Sequence, residues 1–375
     1  MIYLDYSATT PVNEEVLNSF VKANQMYIGN PNSLHKLGIE ANKMIEKATK
    51  QIASILKVKE EEIIYTSSSS EANNLAIKGI CLMYQNRGKH IITTDLEHSS
   101  IYGPLDYLTT LGFEVSYVKL NQDGQVDLEH LQELLRDDTI LVTINGVNSE
   151  LGIPQPIDEI GKILKKYHKC YFHTDMTQAI GKIEVDLTDV DLVSFSAHKF
   201  FGLKGIGVLI KKDKIEIEPL IHGGKSTTKY RSGTPTLPLI ISIAKALRLA
   251  TDNIIQNYNY VLELNKYLRE NLIKYEKVRI NSPMASIPHI LNISVLGVKP
   301  ETMLHALEEH AVYISTQSAC SSGQSASKSV LAITKSIECA SSSIRISLSK
   351  LTTKDELNKF LIAFEQCYNK LTNLR

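Results

Sequence analysis

Short apolar runs alternate with helix-period stretches through the first two thirds of the chain. Residues 62–66, 90–94, 114–118, 139–144, 171–174 and 192–195 read as strands. Several are β-branched and apolar at consecutive positions, the pattern of strands covered on both faces. Helical periodicity predicts 71–84, 100–111, 128–135 and 157–167 between them, with turns at Asp123-Gly124 and Leu151-Gly152. Strand–helix alternation of this kind implies a mostly parallel α/β sheet. After Pro238 one long helical stretch runs to Tyr275. Strands at 277–280, 290–295 and 343–348 then interleave with helices at 301–309 and 354–371, which predicts a second, smaller α/β unit. The Ser/Ala/Gly-rich run 315–329 sits inside it.

Composition narrows the class. The 375 residues are 43% hydrophobic and 22% charged, an ordinary globular balance. That length suggests about two domains. Lys+Arg and Asp+Glu both number 41, so the zero net charge weighs against a nucleic-acid binder. The start, Met1-Ile2-Tyr3-Leu4-Asp5, lacks the basic and apolar regions of a signal peptide. No stretch approaches the ~18 apolar residues of a membrane span. The five cysteines (Cys81, Cys170, Cys320, Cys339 and Cys367) are odd in number and none has CxxC spacing. Neither a disulfide framework nor a zinc site is expected, and a reducing, cytoplasmic location is.

Candidate chemistry gathers at strand ends, where α/β sheets bind ligands. Lys199 follows the strand LVSF in Ser196-Ala197-His198-Lys199. By itself it reads either as an exposed loop lysine or as a Schiff-base lysine whose amine is nucleophile and base. Asp175 closes YFHTD, with Gln178 three residues on; it suits a helix N-cap or a carboxylate partner for a pyridinium nitrogen. The serines Ser67 to Ser70 before Glu71 suit helix capping or an anion cradle. His98 follows another strand and gains meaning only as a flat ring beside Asp175 and Lys199. Arg345, alternating with apolar residues in SIRIS, suits a solvent-facing strand position or a bidentate fork for a carboxylate. Cys81 and Cys367 fit apolar helical patterns, as buried cysteines do. Cys320, among small residues in QSACSSG, is expected to be mobile and exposed, a thiol suited to use.

Together these signals resemble one family. LDYSATTPV (4–12), GNPNSLH (29–35), YTSSSSEANNLAIKG (65–79), EHSS, VNSELGIPQPI (147–157), FHTDMTQAIGK (172–182), SFSAHKFFGLKGIG (194–207), IHGG (221–224), RSGTPT (231–236), SACSSG and SSIRISLS (342–349) are similar to cysteine desulfurases, in order, over nearly the whole chain. These belong to the class V aminotransferase family, and the long loop after Cys320 resembles the NifS/IscS-like group. The resemblance implies the α/β, type I fold of PLP-dependent transferases. A large domain with a mostly parallel mixed sheet (13–260) would carry the cofactor. A smaller α/β C-terminal domain (1–12 with 261–375) would carry the cysteine loop.

It also implies roles. Lys199 would bind pyridoxal 5'-phosphate (PLP) as a Schiff base and Asp175 would pair with its ring nitrogen. Gln178 would meet the ring oxygen and His98 would stack on the ring. Ser69, Ser70, Ser196 and His198 would surround the phosphate, with Thr234 reaching the phosphate of a neighbouring subunit in a homodimer. Arg345 and Asn30 would hold L-cysteine, and Cys320 would take its sulfur as a persulfide and pass it to an acceptor protein, an iron–sulfur scaffold or another sulfur carrier. No metal, nucleic acid or membrane enters this scheme.

Departures from the family pattern touch tuning. Ser68-Ser69-Ser70 replaces Gly-Ala-Thr, Ser149 replaces the second asparagine after Val147, and Gln317 replaces glycine before Ser318. Selenocysteine lyase, or another class V PLP enzyme, is the alternative activity. A non-catalytic scaffold would have no need of Lys199, Asp175, His98, Arg345 and Cys320 together.

Overall fold

In the computed structural model, which describes residues 1–316 and 326–372, the chain begins with β1 (Ile2–Tyr3), α1 (Glu14–Met26) and α2 (Lys36–Leu56). Then follow β2 (Ile63–Thr66), α3 (Ser69–Tyr84), β3 (His90–Thr93), α4 (Ser99–Thr109), β4 (Glu114–Tyr117), α5 (Leu128–Leu134), β5 (Thr139–Thr143) and α6 (Ile157–Leu164). Strands β6 (Tyr171–Asp175), β7 (Leu192–Ser196) and β8 (Gly207–Lys211) precede α7 (Leu237–Thr251) and α8 (Ile254–Leu272). The remainder is β9 (Val278–Ile280), β10 (Ile290–Val295), α9 (Pro300–Glu308), β11 (Val312–Tyr313), α10 (Lys328–Thr334), α11 (Ile337–Ala340), β12 (Ser343–Ser347) and α12 (Lys354–Thr372).

The principal sheet has the order β2-β8-β7-β6-β5-β3-β4. Only β8 runs against the rest, pairing antiparallel with β2 and β7. The consecutive apolar positions of these strands are explained by cover on both faces. Leu75, Ile80, Leu105 and Leu108 of α3 and α4 share one buried cluster with Ile91 and Leu141. Helices α2, α6 and α7 pack with Val142, Phe172 and Phe195 into another. In α2 the buried residues Ala41, Ile45, Ala48, Ile52 and Leu56 recur every three to four positions, one stripe on a 3.6-residue helix.

A second sheet, β12-β10-β9, is wholly antiparallel, and β1 pairs in parallel with β11. Its core of Val261, Leu264, Ile293, Ile344, Phe360 and Phe364 also takes in Ile2 and Leu4 from the start of the chain. The long helical stretch after Pro238 is two helices, parted at Asp252-Asn253. Strand β8 has no counterpart in the sequence reading; it is a short GVLIK run behind a glycine-rich turn.

Candidate active site

Because β2, β3, β5, β6 and β7 run in parallel, the segments leaving their carboxyl ends meet at one sheet edge. There they enclose a cavity of about 290 Å³ whose walls include Ser69, Ser70, His98, Asp175, Gln178, His198, Lys199 and Arg345. The residues singled out in the sequence therefore converge, although up to 276 positions separate them along the chain.

The serine run divides its labour. Ser68 caps α3, its Oγ accepting from Glu71 N at 3.3 Å. Ser69 and Ser70 occupy the first turn, where unpaired N–H groups and the positive end of the helix dipole favour an anion. Gly207 permits this placement: a Cβ there would sit 2.4 Å from Ser68 C and 2.8 Å from Ser69 N. At the same end Arg231 Nε donates to Glu71 Oε1 at 2.9 Å.

Asp175 ends β6 rather than capping a helix. Its Oδ1 accepts from Thr177 N at 2.9 Å and its Oδ2 from Asn73 Nδ2 at 2.8 Å. Asn73 Nδ2 also donates to Ser100 Oγ at 2.8 Å, leaving that hydroxyl to donate to His98 Nδ1, 2.8 Å away. Ser100 N also approaches His98 Nδ1, at 3.2 Å. Acceptance at Nδ1 places the proton of the neutral imidazole on Nε2.

Lys199 leaves β7 in a single 3₁₀ turn (Ala197–Lys199). Its Nζ donates to Ser7 O at 2.7 Å and Ala8 O at 2.8 Å. Burial and the nearby Lys199, Lys204 and Lys182 hold His198 down to about 4, so its ring is neutral at pH 7. Ser196 is buried and does not line the cavity; its Oγ donates to Ile206 O at 3.3 Å.

Arg345 is 1% exposed, not solvent-facing. Strand β12 is covered by β10 and by the N-terminal segment, whose Leu4 O accepts from Ser347 N at 2.7 Å. Arg345 Nη1 donates to Ser149 O and Nη2 to Asp5 Oδ1, each at 2.9 Å. Its Nε is buried without a partner.

Thr234 and Asn30 lie away from the cavity wall. Thr234 lines a neighbouring depression with Ser67 and Arg231. Asn30 is exposed in the loop between α1 and α2, where its Oδ1 accepts from Asn32 N at 2.9 Å. Cys320, with Gln317 and Ser318, lies outside the described residues. Among the described residues no group of three or more His, Cys, Asp or Glu is arranged to hold a metal ion, and no helix is long and apolar enough to cross a membrane.

Sequence reasoning missed the buried Asn73, and the role of Asp5, Ser7 and Ala8. It also missed Asn145, whose Nδ2 donates to Leu96 O and Glu97 Oε1, both at 2.9 Å. One signal was present: asparagine is a poor helix former, so Asn73 inside an otherwise apolar helix face needs a reason.

A class-V aminotransferase family model matches residues 2–360. The chain is 40% identical to a cysteine desulfurase IscS from Dictyoglomus turgidum, covering 100% of this chain and 96% of the relative. It is 37% identical to one from Methanosarcina thermophila, covering 100% and 93%. Among solved structures, a NifS-like protein superimposes with a TM-score of 0.92 at 34% identity, each chain fully covered. A NifS-like protein from Rickettsia africae gives 0.87 at 34% identity, covering 98% and 99%. The chain belongs to the class-V aminotransferase family of PLP-dependent enzymes.

The cavity fits that cofactor. Thr177 Oγ1, Asn145 Oδ1 and Arg345 Nε are buried and unpartnered, and all three residues line it. Buried polar atoms are costly when unpaired, so the walls call for a polar ligand. A carboxylate, a lysine and a serine-bearing helix start supply the partners of a pyridine nitrogen, an aldehyde and a phosphate.

Proposed function

We propose that the protein is a cysteine desulfurase, taking sulfur from L-cysteine, releasing L-alanine and passing the sulfur from Cys320 to an acceptor protein. The observation that carries this is the convergence of Lys199, Asp175, His98 and Arg345 on one cavity. When bound, PLP supplies the electron sink that allows the substrate's Cα–H and Cβ–S bonds to break.

The residues divide the remaining work. Lys199 Nζ would anchor the cofactor covalently and then carry the α-proton. Asp175, held by Thr177 N and Asn73 Nδ2, would keep a proton on the pyridine nitrogen. His98 would stack on the ring, and Gln178 would donate to the ring oxygen. Ser69, Ser70, Ser196 and His198 would hold the phosphate. Arg345, whose Nε is buried and unpartnered in the cavity wall, would offer its guanidinium to the substrate carboxylate. The Cys320 thiolate attacks the substrate sulfur. An S–S bond forms as Cβ–S breaks, and the electron pair left on carbon is protonated on the way to alanine.

Thr234 lies outside the cavity, which supports a homodimer in which it serves the partner's phosphate. A fully active, cofactor-loaded monomer in light scattering would exclude this arrangement. A thiolate nucleophile suits the reducing cytoplasm. The acceptor is an iron–sulfur scaffold or another sulfur carrier protein. The deciding experiment supplies L-cysteine to PLP-loaded protein and measures alanine, sulfide and persulfide. Alanine without a Cys320 persulfide would refute the proposal, and a parallel assay with selenocysteine separates a lyase selective for that substrate.

A further inference from the structure

Lys182 is a buried amine that the scheme above leaves without a task. It lies seven residues beyond the end of β6, 8% exposed, with N–H bonded to Ala179 O at 3.0 Å. The backbone just before it is closely packed. Gly181 has φ +76°, and a Cβ there would sit 2.9 Å from both Ala250 Cβ and Phe200 Cβ. Among the described residues Lys182 forms no ion pair with a carboxylate. Its Nζ instead donates to Gln178 Oε1.

Gln178 is held from the other side as well, Nε2 donating to Ser7 O at 3.0 Å. A backbone carbonyl can only accept, so the amide nitrogen must face Ser7 and the oxygen must face Lys182, whatever the charge of the lysine. Ser7 lines the cavity. The nitrogen end, with its second hydrogen, is therefore the end turned towards the ligand. The charged and titratable groups around Lys182 are Lys199, Arg345, His198 and His289, with Tyr6 and Lys350 lining the same recess. Burial first, then Lys199 and Arg345, push its amine well below the usual lysine range. Either protonation state of the amine can donate this hydrogen bond.

We propose that Lys182 is a positioning residue that locks the Gln178 side-chain amide with its N–H directed at the ring oxygen of PLP. This rests on the reading of Gln178 given above. A donor at the ring oxygen draws negative charge away from the adjacent Lys199 nitrogen, so the proton shared between them is lost at lower pH. Without the lock the amide is held only by its bond to Ser7 O and is freer to swing away from the ring oxygen.

The test is the pH midpoint at which the visible absorption band of the PLP-loaded protein changes, read without substrate. Gln178→Leu should raise it by about 0.5–1 pH unit, the size of one neutral hydrogen bond. Lys182→Met, which keeps the length of the stem, should raise it by a similar amount. The double variant should move no further than either single one, because both changes remove the same contact. A parent-like midpoint for Lys182→Met, or shifts that add fully, would overturn the lock. No shift for Gln178→Leu would overturn the reading of Gln178 itself. If Lys182→Met takes up too little cofactor, the midpoint is read on Lys182→Gln, whose amide can donate to Gln178. A parent-like value supports the lock, and one displaced as far as Gln178→Leu overturns it.

Discussion

Asn73 Nδ2 lies 2.8 Å from Asp175 Oδ2 and, through its other hydrogen, 2.8 Å from Ser100 Oγ. One buried amide on α3 thus ties the carboxylate at the end of β6 to the hydroxyl that orients His98. Two groups, one on β6 and one on α4, keep a fixed relation because α3 bonds to both.

Asn73→Leu should therefore weaken PLP more than its distance from the cofactor suggests. A hydrogen bond to a charged group is worth about 1.5–3 kcal/mol, or roughly 10–150-fold in affinity. Titration of the apo protein with PLP, followed by absorbance, measures this. Affinity within about twofold of the parent would show that Asp175 is held without Asn73.

Arg345→Lys should separate substrate binding from cofactor binding. Lysine cannot reproduce a side-by-side fork while also reaching Ser149 O and Asp5. KM for L-cysteine should rise at least tenfold, about 1.4 kcal/mol, with the spectrum of bound PLP unchanged. A lost spectrum would mean that Arg345 organises the whole site.

Glu97 gives a pH signature. Burial pushes its carboxyl from 4.5 up to about 8, while Oε1 accepts from Thr94 Oγ1, Asn145 N and Asn145 Nδ2. Between those two values the folded protein holds a proton that the unfolded chain has lost. Stability therefore falls as pH rises through that window, by at most ~1.4 kcal/mol per pH unit. Glu97→Gln keeps the acceptor and removes the titration. Urea unfolding should show the variant gaining on the parent as pH rises from about 5 to about 8; parallel curves would place the proton elsewhere.

Cys320→Ser should keep PLP and bind L-cysteine, yet form no persulfide and release almost no sulfide. Serine or alanine at the other cysteines should leave persulfide formation largely intact. Cys81 and Cys170 are buried, and burial pushes both thiols up, away from thiolate. Alanine production by Cys320→Ser at near the parent rate would place the nucleophile elsewhere.

What the sequence made legible follows from how local each signal is. Strands such as 139–144 announce themselves because cover on both faces demands consecutive apolar residues, and Asp175 and Lys199 stand where such runs stop. Arg345 stayed open between two readings because period-2 alternation marks two faces without saying which is covered; the N-terminal segment that buries it is remote in sequence. Asn73 and Lys182 were unassigned for the same reason. Each acts through a partner that only the folded topology brings near. The break at Asp252-Asn253 escaped because neither residue stops a helix as proline does.

The N-terminal segment sets a schedule for making the enzyme. Ser7 N donates to Ser347 Oγ at 3.0 Å across 340 positions, Asp5 holds Arg345, and Ser7 O and Ala8 O receive Lys199. Translation at ~5–20 residues per second puts about 17–70 s between the emergence of the first residues and their last partners. During that interval residues 1–9 have no β12 to lie against, and Arg345 does not yet exist. The principal sheet can form on the ribosome, but the complete cavity is a late event, finished only once β12 has been synthesised.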